Sequence, residues 1–283
     1  MRALHKCRHD NCVRVNEANI FNLNGQPYVA IDMEYLPLGS LETELTKRFI
    51  GPSEIIRHIT HILFGLEHAH ANGVLHKDIK PANIMLSPVN TKLSDFGLAS
   101  DVGISLPPNG AGYISHKAPE MVVGGLATIQ SDVFAVGSTM FRMINHITDW
   151  RNQLSDLGNW QLLVQQGTLL KTIGFQPWVA RKFRAIIDKA CAIDPAARYQ
   201  SCAEMRQALG RLKVHVDWIR LGSLEWSGRS DGRLHSVSIS LGDPTQVQYR
   251  IDNARKRSLC ETAPTPEAAR GGMHQRVATT TFR

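Results

Sequence analysis

At 283 residues, with 43% hydrophobic and 20% charged side chains, the chain has the length and composition of a globular protein able to bury a core. No window approaches roughly eighteen uninterrupted apolar residues and the opening MRALHKCRHDNC holds no apolar stretch, so neither a membrane span nor a signal peptide is expected. The net charge of +7 is uneven: residues 1–210 carry 20 Lys/Arg against 18 Asp/Glu, and residues 211–283 carry 12 against 7, which favours a basic, solvated appendage over a nucleic-acid surface.

In chain order, Cys12–Val15 and Pro27–Met33 flank Asn22-Leu23-Asn24-Gly25 and predict a hairpin. Residues 53–71 place Ile55, Ile56, Ile59, Ile62, Leu63, Leu66 and Ala69 at three- and four-residue spacings, a helix opened by Pro52-Ser53 and closed by Asn72-Gly73. Short strands and loops follow to about residue 98, then a Gly/Pro-containing loop over 101–118. Helical patterning resumes from 128 to 210. Beyond it, Val216–Ile219, His235–Ile239 and Val247–Ile251 are alternating runs separated by Gly and Pro, which predicts a small β-rich appendage over 213–260. The Thr-, Ala-, Pro- and Gly-rich stretch 261–283 reads as a flexible tail.

The chemistry concentrates in His76-Lys77-Asp78-Ile79-Lys80-Pro81-Ala82-Asn83, followed by Asp95-Phe96-Gly97 and Ala118-Pro119-Glu120. Phosphoryl transfer needs positioning and charge neutralisation more than reactive groups. One carboxylate must orient the attacking hydroxyl, a second must hold Mg²⁺, an amide oxygen can complete the metal shell, and a cation can sit on the migrating group. Asp78, Asp95, Asn83 and Lys80 supply these within eighteen residues.

These motifs, in this order, resemble the H-R-D-x-K-x-x-N, D-F-G and A-P-E signatures of the protein kinase superfamily. The resemblance covers about residues 1–210. It implies an α+β, protein-kinase-like fold: a remnant of the N-lobe and hinge over 1–36, a truncated N-lobe sheet, and a helical C-lobe over 37–212. It also implies ATP-dependent phosphorylation of protein serine/threonine hydroxyls, with ATP and Mg²⁺ as cofactors and a protein as substrate. Asp78 and Lys80 would be catalytic, and Asn83 and Asp95 would hold the metal. Met33-Glu34-Tyr35-Leu36 resembles the hinge, with Met33 as gatekeeper, the Glu34 and Leu36 backbones meeting adenine, and Met85 beneath the ring. Asp132 would anchor the catalytic loop and Arg198 would pair with Glu120. Leu4, Val15, His76 and Phe96 would form the apolar stack. Lys80, two places after Asp78, matches the serine/threonine type, and the Gly112–Glu120 loop resembles a bacterial kinase.

The sequence departs from the family where its Gly-rich loop, β3 lysine and αC glutamate would stand: no G-x-G-x-x-G or V-A-I-K pattern occurs. Three readings are open. The start is placed late and catalysis is impaired for want of the ATP clamp, a partner supplies the missing N-lobe, or the chain is a non-catalytic pseudokinase or scaffold. A small-molecule phosphotransferase is a further alternative, against which the A-P-E and Asp194/Arg198 segments argue. Lys77 replaces the usual arginine, and no threonine lies between Asp95 and Glu120.

Among weaker signals, His5, Cys7, His9 and Cys12 have irregular spacing for zinc. His58, His61, His68 and His70 are expected to be solvated or helix-capping. Trp218, Trp226 and Tyr249 are expected to pack the β module. Five scattered cysteines argue for reduced thiols and a cytoplasmic location. Neither a membrane nor a nucleic-acid partner is expected.

Overall fold

The computed structural model describes residues 8–96, 100–101 and 114–283. Leu4, His5, Cys7, Gly97 and Gly112, all named above, lie outside the described residues.

Strands β1 (Val15–Leu23) and β2 (Gln26–Met33) pair antiparallel, with Leu23 opposite Gln26. Asn24 and Gly25 both have positive φ (53° and 77°), the mirror-image turn whose twist matches that of the strands. Cys12 is not part of β1. It bridges Leu93 in parallel, and Val13 N donates to Leu93 O at 2.7 Å, so the pairing strand begins later than the apolar run suggests. The hairpin leaves Ile20, Phe21, Tyr28 and Val29 each more than half exposed.

Helix α1 (Leu41–Lys47) is capped by Ser40, whose Oγ accepts from Thr43 N. Helix α2 (Pro52–Ala71) buries the expected stripe of Ile55, Ile59, Ile62, Leu63 and Leu66. It ends at Asn72, before Gly73 turns the chain with φ 73°. Strand β3 (Val74–Leu75) pairs with β6 (Ser100–Asp101), and β4 (Ile84–Leu86) pairs with β5 (Thr91–Leu93).

After α3 (Pro119–Val122), helix α4 (Ile129–Asn145) runs through the core. A reciprocal Thr128/Ser131 capping box starts it, and it is buried from Ser131 to Asn145. Helices α5 (Trp150–Ser155), α6 (Trp160–Gln165), α7 (Leu169–Ile173), α8 (Arg181–Ala190) and α9 (Cys202–Gly210) complete this region. Gly137 lets α4 meet the end of α8 closely, since a Cβ there would stand 2.8 Å from Ala190 Cβ and 2.6 Å from Cys191 Sγ.

The appendage is a six-stranded antiparallel sheet: β7 (Asp217–Arg220), β8 (Glu225–Ser230), β9 (Arg233–Ser240), β10 (Thr245–Ile251), β11 (Ala254–Arg255) and β12 (Glu261–Ala263). Strand β10 pairs with β9 on one side and with both β11 and β12 on the other. Trp218, Trp226 and Tyr249 are buried in its core, as their packing role requires.

The flexible-tail reading of 261–283 is corrected by β12 and by helix α10 (Pro266–Thr280). Thr265 Oγ1 caps α10 by accepting from Ala268 N, and Ala269, Met273 and Val277 join the Trp218/Trp226 core. Gly272 faces Glu261 so closely that a Cβ would overlap it. The small residues that suggest mobility in the sequence are those that allow a helix to lie flat on a sheet. Trp178 packs against both cores and Phe49 against the second, with ring centroids 5.6 and 5.0 Å from Trp226. Asp217 Oδ1 accepts from Ser53 N at the start of α2. No helix among the described residues is long and apolar enough to cross a membrane.

Candidate active site

The first turn of α4 supplies the anchor. Asp132, 1% exposed, accepts from His76 N and Lys77 N, each at 2.9 Å, and from His70 Nε2 at 2.9 Å. Burial works to raise the Asp132 pKa, but the His70 hydrogen bond, the neighbouring imidazoles of His70 and His76, and the Lys77 N–H outweigh it and hold the carboxyl below its usual range. The position at a helix N-terminus also favours the anion. With two successive amides pulled to one carboxylate, Lys77 adopts φ 69°, a left-handed conformation that costs a side-chain-bearing residue free energy.

His70 was expected to be solvated or capping. Its side chain is buried instead, 6% exposed, because it continues the inner stripe of α2, four residues after Leu66. That register is the sequence signal for its role. His58 is also buried, bonded to Thr91 Oγ1 at 2.6 Å, while His61 Nδ1 accepts from Thr91 N.

Beyond Lys77 the chain turns Asp78 inward, 8% exposed. Its Oδ2 receives Lys80 Nζ at 2.7 Å and Asn83 Nδ2 at 2.9 Å. Asn83 Nδ2 also donates to Asp78 O at 2.8 Å, which commits the amide nitrogen and leaves Oδ1 of Asn83 as its acceptor atom. Pro81–Asn83 is a single 3₁₀ turn, which brings Asn83 back over Asp78. Ser94 closes the ring, donating from N and Oγ to Asn83 O at 2.9 and 3.1 Å. The next residue, Asp95, is exposed and left-handed at φ 60°. His76 donates from Nε2 to Ser94 O at 3.0 Å and packs against Phe96 in a tilted ring contact with centroids 4.7 Å apart. Two hydrogen-bonded links therefore tie the Asp95 segment to the loop that holds Asp78.

The segment that resembles a hinge in sequence follows β2. Met33 ends β2 at 45% exposure. Glu34 N donates to Arg14 O at 2.9 Å, and its Oε1 accepts from Arg14 N and from Lys92 Nζ, each at 2.7 Å. Leu36 is buried, Gly39 N donates to Leu36 O, and Leu86 N donates to Gly39 O, while Ser40 bridges Met85. Residues 34–40 are thus laid across β4, with Leu36 and Met85 on connected segments.

The donors fit the implied metal. An Asp carboxylate and an Asn amide oxygen are hard ligands of the kind Mg²⁺ takes with substrate phosphates. Among the described residues no group of three or more His, Cys, Asp or Glu side chains converges as a metal cage. Of the four residues weighed for zinc, Cys12 is buried with Sγ on Gly65 O, and His9 stacks on His68.

Glu120 and Arg198 form the bidentate pair that the motif implies, at 2.7 and 2.8 Å. This fixes the segment after His116 to the turn before α9.

Buried histidines give the site a pH dependence. Burial pushes the pKa of His76 down, against the opposing charge of Asp132, and holds His116 well below its usual value. Both are neutral in the fold near pH 7. As pH falls below about 6.5, the unfolded chain takes up protons that the fold refuses, so stability falls, by at most about 1.4 kcal/mol per histidine per pH unit. Urea midpoints should therefore be lower at pH 5.5 than at pH 7.5; equal midpoints would contradict the neutral assignment.

Residues 1–209 match the protein kinase domain family model. Over 222 residues the chain is 30% identical to the serine/threonine-protein kinase PrkC of Bacillus subtilis, covering 76% of this chain and 34% of that protein. It is 27% identical over 212 residues to a probable serine/threonine-protein kinase PknB of Lactococcus lactis, covering 72% and 32%. Against PknB of Mycobacterium tuberculosis it is 30% identical over 193 residues, covering 66% and 30%. The chain spans about a third of the length of these curated relatives. By this match and these relatives, the chain belongs to the protein kinase family, of the serine/threonine type found in bacteria.

Proposed function

We propose that the protein transfers a phosphoryl group from Mg-ATP to serine and threonine hydroxyls of proteins. The observation that carries this reading is the Asp78 carboxylate held by Lys80 and Asn83 on a loop pinned by Asp132. When bound, ATP supplies the group to be transferred and Mg²⁺ neutralises its charge. Asp78 orients the acceptor hydroxyl and takes its proton, using Oδ1, which makes no hydrogen bond among the described residues. Lys80 holds Asp78 in place and stabilises the moving charge. Asp95 and Asn83 Oδ1 would hold the metal. Met33 borders the adenine pocket, the backbones of Glu34 and Leu36 face the ring edge, and Met85 packs beneath it.

An open groove of about 550 Å³ beside this set, lined by Lys80, His116, Arg142, Trp150 and Arg151 among others, suits an extended protein segment. The exposed apolar residues on β1 and β2 fit a sheet continued by further strands, from the same polypeptide or from a partner, since an isolated hairpin is marginal in water. Those strands would also carry the phosphate clamp that no residue of this sequence matches.

The test is phosphate incorporation from Mg-ATP, measured on this chain beside a version extended into the upstream reading frame. Mass spectrometry should place phosphate on serine or threonine in the extended form. Incorporation by neither form would remove the reading in favour of a scaffold role.

A further inference from the structure

The sheet of the appendage has a second face, turned away from α10, whose side chains phosphoryl transfer does not use. Burial alternates along β9 and β10: Val237, Val247 and Tyr249 face the core, while Ser236, Ser238, Gln246, Gln248 and Arg250 face the other way. The register sets Ser238 opposite Gln248, Ser236 opposite Arg250, and Arg250 opposite Arg255 on β11. Two like charges directly across from each other on one face repel. Strands β9, β10 and β11 carry no Asp or Glu to offset them. Of the acids in the connecting turns, Asp252 already pairs with Arg233, and Asp243 lies beyond the opposite end of β10. Glu225, on the same face, stands two strands from Gln248. Each arginine rests on a glutamine: Arg250 Nη2 donates to Gln248 Oε1 at 3.0 Å, and Arg255 Nη2 to Gln246 Oε1 at 3.4 Å. A guanidinium can only donate, so each amide turns its oxygen to the arginine and keeps its Nε2 as a donor. Neither Nε2, nor the hydroxyl of Ser236 or Ser238, makes a hydrogen bond among the described residues. The strip therefore combines N–H and O–H donors with two positive charges and no acidic acceptor.

We propose that this strip binds a phosphorylated serine or threonine within an extended segment of another protein. The phosphate lies between Arg250 and Arg255, whose guanidinium forks suit its oxygens, and it removes their mutual repulsion. At roughly 3.3 Å per residue the strip runs about 13 Å from Gln246 to Arg250, so its amides and hydroxyls flank about four residues of extended peptide. A nucleic acid fits less well, because the aromatic residues on which bases could stack, Trp218, Trp226 and Tyr249, are buried on the other face. Binding requires no phosphoryl transfer by this chain, so its test stands apart from that of the enzyme reading.

An acetylated and amidated Ala-Ala-phosphoserine-Ala-Ala peptide, titrated into the chain by calorimetry without nucleotide, should bind saturably at one site. The unphosphorylated peptide should bind at least about tenfold more weakly. The phosphopeptide should lose about tenfold in affinity for Arg250→Gln and for Arg255→Gln, the effect of removing hydrogen bonds to a charged group. Both positions are exposed and each change relieves the repulsion, so the variants should melt no lower than the parent. Arg233→Gln, whose arginine Asp252 already holds, should leave the affinity unchanged. The proposal is overturned if the phosphopeptide does not bind, if inorganic phosphate binds as tightly as the phosphopeptide, or if neither arginine substitution at the strip weakens binding. Binding of a thymidine decamer or of phosphatidylserine vesicles in place of the peptide would overturn it in favour of nucleic acid or membrane.

Discussion

Asp78→Asn in the full-length protein is expected to lower phosphoryl transfer by about 10²–10⁴-fold, the range for losing a positioned general base. The substitution is nearly isosteric, and its amide oxygen can still receive Lys80 and Asn83, which both point at Asp78 Oδ2. Loop geometry is therefore retained while the ability to take a proton is lost. Nucleotide affinity should stay within a few-fold of the parent, because Asp78 is not among the groups assigned to metal or adenine. The comparison is kcat against KM for ATP in both proteins. An unchanged kcat would show that Asp78 has no part in the reaction.

The second large effect is on stability. Asp132→Ala would orphan three donors at once: the amides of His76 and Lys77 and the His70 imidazole. Removing one partner of a buried, hydrogen-bonded charge costs about 3–5 kcal/mol. The left-handed Lys77 also loses what holds it, so the loop over residues 76–83 should relax locally even where the fold survives. Urea denaturation should show the loss, and hydrogen exchange should show faster exchange at His76 and Lys77 than in the parent. A cost under about 1 kcal/mol would mean that the three hydrogen bonds are not structurally important.

Much of this was legible in the sequence because the information is local. The Asp78/Lys80/Asn83 spacing closes on itself within one 3₁₀ turn, and the α2 stripe has a helical period that no other reading fits. The Asp132 anchor and the Glu120–Arg198 pair join residues far apart in the chain. They came from resemblance to the family, since nothing in their spacing brings them together. The burial of the His70 side chain is hard to see because four histidines on one helix look like a polar face until the register with Leu66 is followed. The C-terminal helix is hidden in the sequence for a different reason. Its Ala, Gly and Thr residues form no strong apolar stripe, and its position depends on Gly272 meeting Glu261 across the sheet. Strand β8 carries a weak sequence signal because Glu225–Ser230 buries Trp226, Gly228 and Ser230, and only one of these is a large apolar residue.

The central claim is that Asp78, Lys80, Asn83 and Asp95 form one nucleotide- and metal-dependent centre. It is tested most directly by ATP binding to the full-length protein with and without Mg²⁺, beside the Asp95→Asn variant. The account predicts binding that strengthens with Mg²⁺ in the parent and loses that dependence, with affinity about tenfold weaker or more, in the variant. ATP affinity that is the same with and without Mg²⁺, or that Asp95→Asn leaves untouched, would contradict it.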